Sequence, residues 1–378
     1  MARANGEGSI YKVRDKSGKI TGYRAAYYVH TAKGPKRKYL SGKTRDEVAV
    51  KLTKAMADRD GGFVFDAGTV TVEEYLERWL SDSVRDTVRQ RTYEGYEHIV
   101  ERHISPALGG VKLSKLTPAH VRGLYRDKLD AGLSPRTVRY VHTTLNKALS
   151  QAVADGLIPR NAAASVKPPQ PRKTEIRPLD TEQVRTLLET VSGDRLEALY
   201  VVAVTAGLRE GELLGLRWED VDLEAGRIQV RRTASEARTG LVYEMPKSGV
   251  GRQVRLGQKA TQALRAHRKR QLEERMEKAG LWEDHGLVFP SEVGTPLGAR
   301  NLQRGFKIRL KRAGLPESTR FHDLRHTCAT VLLGQGVNPK FVQELLGHKD
   351  IALTLNVYSH VLPDMGDAAA GAMDDALS

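Results

Sequence analysis

The pattern of hydrophobic and polar residues changes twice along this chain, and its first part has the alternation of β-strands. The segments 9–14 and 23–29 alternate between apolar or aromatic residues and polar ones, and a short sequence ending in Gly18 lies between them. Such a pattern with a glycine-containing turn is typical of a β-hairpin. A third strand is predicted at 36–40, and helical spacing of apolar residues predicts a helix over 44–58. The amino end is therefore predicted to be a three-stranded sheet with one helix.

Helical periodicity replaces the alternation after residue 70. Apolar side chains recur there every three or four residues in four segments, which predicts four amphipathic helices before residue 160. Three of the segments begin with capping signals, and the remaining helix is predicted at 92–104. This block is therefore predicted to be a small helical domain. The capping signals are Thr71 with Glu74, Thr117 with Pro118, and Ser134 with Pro135.

A proline-rich segment separates the helical block from the rest of the chain. Residues 167–178 contain four prolines and four basic residues without apolar periodicity, which is typical of an extended linker. The block that follows is predicted to combine helices with a small sheet. Its predicted helices lie near 181–191 and 196–205, its predicted strands at 226–232, 241–246 and 252–256, and further helices extend to the end.

The fold class that these patterns predict is multidomain and mainly α-helical, with small antiparallel β-sheets. The chain has 378 residues, of which 40% are hydrophobic, and this is enough for two or three domains with buried cores. We predict an amino-terminal domain at 1–65, a helical domain at 66–166, the linker at 167–178 and a mainly helical domain at 179–378.

Composition excludes several classes of protein. No stretch approaches the roughly 18 consecutive apolar residues of a membrane span, and the first residues lack the apolar region of a secretory signal. We therefore expect a cytoplasmic protein without a membrane partner. The single cysteine, Cys328, excludes an internal disulfide framework and a cysteine-cluster zinc site.

The charge balance favours a polyanionic partner. The chain carries 61 Lys and Arg against 46 Asp and Glu, a formal net charge of +15, and a field of this sign favours nucleic acid. Residues 1–45 hold twelve of the basic residues and only two acidic ones. Basic residues mixed with tyrosines on strands suit a DNA groove, and a solvated hairpin with charges of no consequence is the alternative. The candidate DNA-binding residues are Lys12, Arg14, Arg24, Lys36, Arg37 and Lys38.

In the last block, polar residues of catalytic type occur inside segments that otherwise have the pattern of a core. The sequence from residue 205 predicts a helix start at a glycine-containing turn, with Arg209 in the first turn and Glu212 on the same face. The segment 322–330 predicts a helix that places two histidines and an arginine on adjoining turns. Another helix is predicted to end at a glycine directly before His348, and Tyr358 follows ten residues later.

These segments resemble the tyrosine recombinases, also called phage integrases. The resemblance rests on the helix start Thr-Ala-Gly-Leu-Arg-x-x-Glu-Leu, the box His-x-Leu-Arg-His-Thr-x-Ala-Thr, the Leu-Gly-His turn and Tyr358, which stand in the family's order. The segments 133–138 and 156–161 resemble the family's core-binding domain. The first 60 residues resemble the arm-binding domain of its heterobivalent members. Ala162 stands where the family often has proline, in a loop far from the chemistry.

The resemblance implies a role for each residue of this constellation. Tyr358 matches the family's nucleophile, and Arg209 and Arg325 match the arginines that clamp the phosphate. Lys247 matches the family's lysine at a strand turn, although Arg252 in the same short hairpin turn leaves the register open. The remaining matches are His322 and His348 as the histidines of the site and Glu212 at the activating acidic position, and His326 is interpreted as a supporting residue.

The chemistry of tyrosine attack agrees with these roles. A tyrosine hydroxyl has a pKa near 10, so only about one in a thousand is ionised at neutral pH, and it must attack a phosphodiester that is itself negative. Arginines and histidines can stabilise the additional charge of a pentavalent transition state, and a lysine can protonate the leaving 5′-oxygen. A phosphotyrosine linkage conserves the bond energy, so neither a nucleotide cofactor nor a metal is expected.

Other interpretations remain open at this point. His322 and His326 are spaced like zinc ligands on a helix, but Asp323 replaces the glutamate of such motifs and no third ligand is evident. For the whole chain, the alternatives are a catalytically silent DNA-binding regulator and a type IB topoisomerase. The complete set of catalytic residues argues against the regulator, and the basic amino end argues against a simple relaxing enzyme.

The resemblance also implies a reaction and its partners. The expected reaction is the integration or excision of a phage genome or another mobile element through a 3′-phosphotyrosyl intermediate. The implied partners are double-stranded DNA with separate core and arm attachment sites, three further copies of the chain in a homotetramer, and accessory DNA-bending or directionality proteins.

Overall fold

The computed structural model describes residues 9–31, 34–60, 69–171, 177–238, 240–246, 251–348, 350, 351, 355 and 373–377. The chain separates into two compact units, Met1–Lys173 and Thr174–Ser378. Both are rich in helices and carry small antiparallel sheets, which confirms the predicted fold class. Within the described ranges, none of the helices combines the length and the apolar character that crossing a bilayer requires.

A three-stranded antiparallel sheet and one helix form the amino end, as predicted. The elements are β1 (Ser9–Arg14), β2 (Ile20–Thr31), β3 (Gly34–Gly42) and α1 (Arg45–Asp60). The strands lie in the order β1-β2-β3, and Ala25 of β2 packs against Val48 and Leu52 of α1. Asp15 stabilises the first turn, because its carboxylate accepts hydrogen bonds of 2.9 and 3.0 Å from two backbone N–H groups of that turn.

Three helices of the helical block begin where the capping signals predict. Its helices are α2 (Val72–Arg78), α3 (Gln90–Ile99), α4 (Ser105–Leu108), α5 (Pro118–Asp130) and α6 (Pro135–Ala154). The predicted capping box is present, since Glu74 N–H donates to Thr71 Oγ1 at 3.3 Å and Thr71 N–H donates to Glu74 Oε2 at 2.8 Å. The predicted helix 92–104 is α3, and wider π-helical turns continue it through Val100–Ile104. Apolar residues of α6 at helical spacing, among them Leu145 and Leu149, lie fully buried in the core of this block.

The second unit has a helical core with a small sheet at one side. Its helices are α7 (Thr181–Thr190), α8 (Glu197–Ala206), α9 (Glu210–Leu214), α10 (Gln258–Glu277), α11 (Ala299–Arg312), α12 (Asp323–Gly334) and α13 (Pro339–Leu346). Eight of the ten residues of α8 are buried, because α7, α10 and α12 all pack against it. The strands are β4 (Val221–Asp222), β5 (Arg227–Val230), β6 (Thr233–Ala237), β7 (Gly240–Glu244) and β8 (Arg252–Arg255).

The strands of the second unit pair differently from the prediction of a short hairpin turn around Lys247. Strand β7 pairs with β6, whereas β8 pairs with β5, so β7 and β8 belong to two separate ladders. The neighbouring ends of the two ladders are the pair Val230 and Arg252 in one and the pair Thr233 and Glu244 in the other. A direct β7–β8 hairpin is therefore wrong, since the two-stranded ladder closes at the pair Ala237 and Gly240 instead.

Candidate active site

The carboxyl end of α13 is the meeting point of the catalytic candidates. The helix ends at Gly347, whose φ of 64° is a left-handed conformation that favours glycine. The last carbonyls of a helix have no partner within the helix and carry its partial negative charge. Three arginines from three separate elements donate to three consecutive carbonyls of this turn. The pairs are Arg252 Nε with Leu345 at 3.0 Å, Arg325 Nη2 with Leu346, and Arg209 Nη2 with Gly347 at 3.3 Å.

Arg209 and Glu212 contact each other at the amino end of α9. The sequence predicts Arg209 inside the first helical turn, but the structure places it one residue before the helix, with extended backbone angles of φ −70° and ψ 151°. From this position its Nη1 donates to Glu212 Oε1 at 2.8 Å and its backbone N–H donates to Glu212 Oε2 at 2.9 Å. The predicted shared face is therefore realised as a direct ion pair.

Arg325 is buried at the start of α12, with 3% of its surface exposed. Its Nη1 donates to the carbonyl of Gly207 at 2.7 Å, in addition to the bond to Leu346. Gly207 ends α8 with φ 59°, and a Cβ on it would lie 2.6 Å from Leu346 Cδ2. The left-handed backbone conformation therefore favours the glycine of this turn, and a larger residue would also displace the Leu346 side chain of α13.

The three histidines of the prediction lie around the same arginines. His322 directly precedes α12, and its ring meets that of His326 edge-on at a centroid distance of 5.2 Å. Burial and then the charges of neighbouring groups lower the pKa of His326 and of His348 to about 4 each. Partial desolvation, followed by the charge of Arg325, lowers the pKa of His322 as well, although its side chain reaches the surface. All three imidazoles are therefore neutral at neutral pH, and a neutral imidazole has one hydrogen-bond donor and one acceptor.

Arg252 belongs to this cluster, although the sequence pattern assigns it no role. Its Nη1 and Nη2 donate to Glu212 Oε1 and Oε2, each at 2.8 Å, so that Glu212 lies between two guanidinium groups. Burial acts to raise the pKa of Glu212, but the hydrogen bonds and charges of Arg252 and Arg209 outweigh it and lower that pKa to about 2. The only sequence signal is that Arg252 stands close to Lys247 in the chain.

Lys247 and Tyr358 lie outside the described residues, and their roles stay predictions. Of the described cluster residues, Arg252 follows Lys247 by five positions in the sequence, and His348 precedes Tyr358 by ten.

The zinc interpretation of His322 and His326 finds no support in the surroundings of Asp323. Both carboxylate oxygens of Asp323 accept hydrogen bonds from Arg320, at 2.7 Å from Nη2 and 2.7 Å from the backbone N–H. Across the part of the chain that the structure describes, no group of three or more His, Cys, Asp and Glu side chains is placed to hold a metal ion.

The candidate DNA-binding residues of the amino-terminal sheet lie on different faces. Arg24 and Arg37 lie on the face opposite α1, where their guanidinium groups are 5.8 and 5.4 Å from the ring centroid of Tyr39. Lys12 and Lys38 pair across the ladders with Tyr23 and Tyr27, which pack on the side of α1, so these lysines belong to that side. Arg14 instead donates to the carbonyl of Gly18 at 2.7 Å, and the backbone of Lys36 lies opposite Val29 in the ladder.

The exposed face of this sheet is aromatic as well as basic. Tyr11, Tyr28 and Tyr39 are 40%, 54% and 53% exposed there, and Arg37 lies over both of the latter two rings. This face therefore combines charge with planar apolar groups, whereas the face toward α1 is closed by packing.

Guanidinium groups and neutral imidazoles, which this site gathers around one helix end, are groups that can bind the oxygens of a phosphate ester. Two sequence profiles match the chain: the phage integrase family over residues 177–365, and the N-terminal SAM-like domain of phage integrases over residues 71–129. The chain belongs to the phage integrase family, the tyrosine recombinases. It is a site-specific recombinase, and its partner is DNA.

The similarity to two named relatives covers most of the chain. A tyrosine recombinase XerC-like protein of Caldanaerobacter subterraneus subsp. tengcongensis is 31% identical, over 90% of this chain and 92% of that protein. An integrase of Streptomyces ambofaciens is 32% identical, over 88% of this chain and 87% of that protein. Because both matches cover most of this chain, the similarity is not confined to the catalytic block.

Two solved structures have the same fold. The Tn1549 transposon integrase in complex with a circular intermediate DNA gives a TM-score of 0.68 at 23% identity, over 81% of this chain and 100% of that one. A lambda integrase dimer bound to a COC′ core site gives a TM-score of 0.60 at 20% identity, over 97% of each chain.

Proposed function

We propose that the chain cleaves and rejoins attachment-site DNA through a 3′-phosphotyrosyl intermediate on Tyr358. The hydroxyl oxygen of Tyr358 attacks the scissile phosphorus, the bond from phosphorus to the 5′-oxygen breaks, and Lys247 gives that oxygen its proton. The reverse step joins the phosphate to the 5′-hydroxyl of another strand and releases the tyrosine. The bond count is unchanged, so the exchange needs no energy source.

The observation that carries this proposal is the convergence of Arg209 and Arg325 on the end of α13. Both guanidinium groups are held by backbone carbonyls, so their orientation is set before DNA arrives. Preorganised donors of this kind stabilise charge that develops in a transition state, at little reorganisation cost. His322 and His348, neutral in the cluster, add hydrogen bonds to the same phosphate, while Glu212 and His326 support the donors.

The proposal predicts a covalent adduct that forms without metal. With a nicked suicide substrate carrying a core site, the full-length chain is expected to accumulate a protein–DNA adduct in the presence of EDTA. The adduct should retain a label on the strand that ends in the 3′-phosphate at the break, and its peptide should contain Tyr358 by mass spectrometry. An adduct that retains the strand with the new 5′ end, or one that EDTA abolishes, would contradict the proposed chemistry.

For the rest of the chain, we propose an arm-binding domain at 1–65, a core-binding domain at 66–166, a linker at 167–178 and a catalytic domain at 179–378. Four copies would act together on two DNA sites in the bacterial cytoplasm, with accessory bending or directionality proteins. The exposed basic and aromatic face of the amino-terminal sheet supports a second DNA-binding surface, separate from the catalytic cluster.

The arm-binding role predicts a difference between the two faces of the sheet. The double variant Arg24→Gln/Arg37→Gln is expected to lose protection of arm sites in footprinting, with core-site cleavage unchanged. The salt dependence of arm-site binding should fall by about 0.9 in logarithmic slope for each DNA phosphate that the variant no longer neutralises. The double variant Lys12→Gln/Lys38→Gln removes the same number of charges on the side of α1, so it is the matched control and should weaken binding less. Equal effects in both variants would mean that the segment acts as a nonspecific electrostatic tether.

A further inference from the structure

Arg252 occupies the centre of the cluster without a role in the proposed reaction. It uses both terminal nitrogens on Glu212 and its Nε on the carbonyl of Leu345. Two parallel N–H···O bonds to one carboxylate impose a planar geometry that a lysine does not reproduce. The side chain of Arg252 is 13% exposed, compared with 29% for Arg209. Arg252 faces the protein, because each of its three guanidinium nitrogens donates to a protein oxygen.

The contacts of Arg252 join three elements that are distant in the chain. It starts β8, it holds α9 through Glu212, and it holds the end of α13 through Leu345. It also packs closely on the next turn, since a Cβ on Gly347 would lie 2.9 Å from Arg252 Cδ. One guanidinium group therefore sets the distance between the carboxylate that holds Arg209 and the turn that carries His348.

We propose that Arg252 is a positioning residue for strand cleavage, which fixes Glu212, and through it Arg209, relative to His348. This inference rests on the proposed function, because it concerns the geometry of the same site. It assigns to Arg252 no contact with DNA. A displacement of about 1 Å in a reacting group can cost on the order of 100-fold in rate, so the loss of such a residue should be visible in cleavage.

Glu212 provides a readout that separates positioning from folding. The charged and titratable groups around it are Arg209 on its own element and Arg252 on β8, with Arg325 and His326 of α12 and His348 beyond them. Its folded pKa is depressed, so the carboxylate persists to low pH in the parent chain. Burial raises the pKa of Glu212, and without Arg252 only Arg209 opposes this effect, so the pKa of Glu212 rises. Glu212 then takes up a proton as the pH falls, and its bond to the Arg209 side chain weakens.

The experiment compares Arg252→Met and Arg252→Lys with the parent in the full-length chain. Single-turnover cleavage of a nicked core site at saturating protein is measured from pH 5.5 to 8.5, together with core-site affinity by gel shift. Arg252→Met is expected to cleave about 10- to 100-fold more slowly at pH 8 with affinity within about 3-fold of the parent, and the deficit should grow toward pH 5.5. Arg252→Lys, which keeps the charge without the fork, should fall between the two.

Two further variants control this test. Arg255→Met removes an exposed arginine from the same strand and should leave the rate and the pH profile unchanged. The double variant Arg252→Met/Glu212→Gln has no carboxylate to titrate, so the additional loss toward pH 5.5 should disappear. Retention of that loss in the double variant would assign it to the histidines and overturn the proposed route through Glu212.

The outcomes distinguish this inference from the function on which it rests. If the parent chain forms no adduct, or forms one that does not involve Tyr358, the proposed function fails. If the parent forms the adduct and Arg252→Met cleaves at the parent rate, only the positioning role fails. A thermal unfolding midpoint measured for each variant shows whether Arg252→Met is folded. If it is not, Arg252→Lys decides the question through its rate and its pH profile.

Discussion

Tyr358→Phe is expected to abolish covalent adduct formation while core-site binding is retained. The substitution removes only the hydroxyl oxygen that would attack the phosphorus, and the aromatic ring stays. Because the nucleophile is part of the covalent intermediate itself, no other group of the cluster can substitute for it. Adduct yield on a nicked suicide substrate, quantified on denaturing gels beside a gel shift of the same samples, measures both quantities.

An exposed tyrosine of the helical block provides the control for this substitution. Tyr140 of α6 is 55% exposed, and Tyr140→Phe removes a hydroxyl of the same kind. Its adduct yield should equal that of the parent chain. Undiminished adduct in Tyr358→Phe would place the nucleophile on another residue and reject the assignment.

Arg209→Ala and Arg325→Ala are expected to reduce cleavage by about 100-fold to 1000-fold, with a much smaller loss of core-site affinity. The pentavalent transition state carries more negative charge than the bound phosphodiester, so the loss of a preorganised donor acts mainly on the rate. Cleavage under single-turnover conditions and affinity by gel shift give the two numbers. Equal losses of binding and cleavage would indicate a DNA-binding role only.

The substitutions of the two arginines should differ in their effect on the thermal stability of the protein. Arg325 is 3% exposed, and its removal leaves the carbonyls of Gly207 and Leu346 without these donors. An unsatisfied buried polar group costs about 1–3 kcal/mol, so Arg325→Ala should also lower the thermal unfolding midpoint. Arg209→Ala should lower it less, because this side chain is 29% exposed. Arg185→Ala, which removes a surface ion pair of α7, is the control and should affect neither property.

The helices of this protein could be predicted because their signals are local. A capping residue, a proline in the first turn and an apolar stripe all lie within one or two turns of the chain. The helix starts at Thr71, Thr117 and Ser134 accordingly agree with the structure. The same holds for the glycines at positions 207 and 347, whose left-handed conformations end α8 and α13.

The network around Glu212 could not be predicted, because its partners are distant in the chain. Arg252 lies 40 residues from Glu212 and 93 from Leu345, and no periodic pattern connects these positions. The pairing of β7 and β8 with different strands could not be predicted for a similar reason. Two strands separated by a short turn-like segment favour a hairpin. Only the tertiary register shows that β7 pairs with β6 and that β8 pairs with β5.

Residue type alone was also insufficient for the amino-terminal sheet. Six basic residues are candidates for DNA binding from the sequence. The alternation of side chains along β1 and β3, however, places Lys12 and Arg37 on opposite faces of the sheet. Register decides which charges share a surface, and register depends on the packing of Ala25 against α1.

The end of α13 has a thermodynamic consequence for the protein without DNA. Among the described residues, three guanidinium cations donate to this turn and Glu212 supplies the carboxylate that two of them contact, while the carbonyls that orient them offer only partial charges. The four side chains therefore hold a formal excess of two positive charges at close range, which opposes folding of the empty site. A phosphate that enters relieves this repulsion, so DNA binding and the stability of the catalytic unit are linked, and the recombinase is most stable on its substrate.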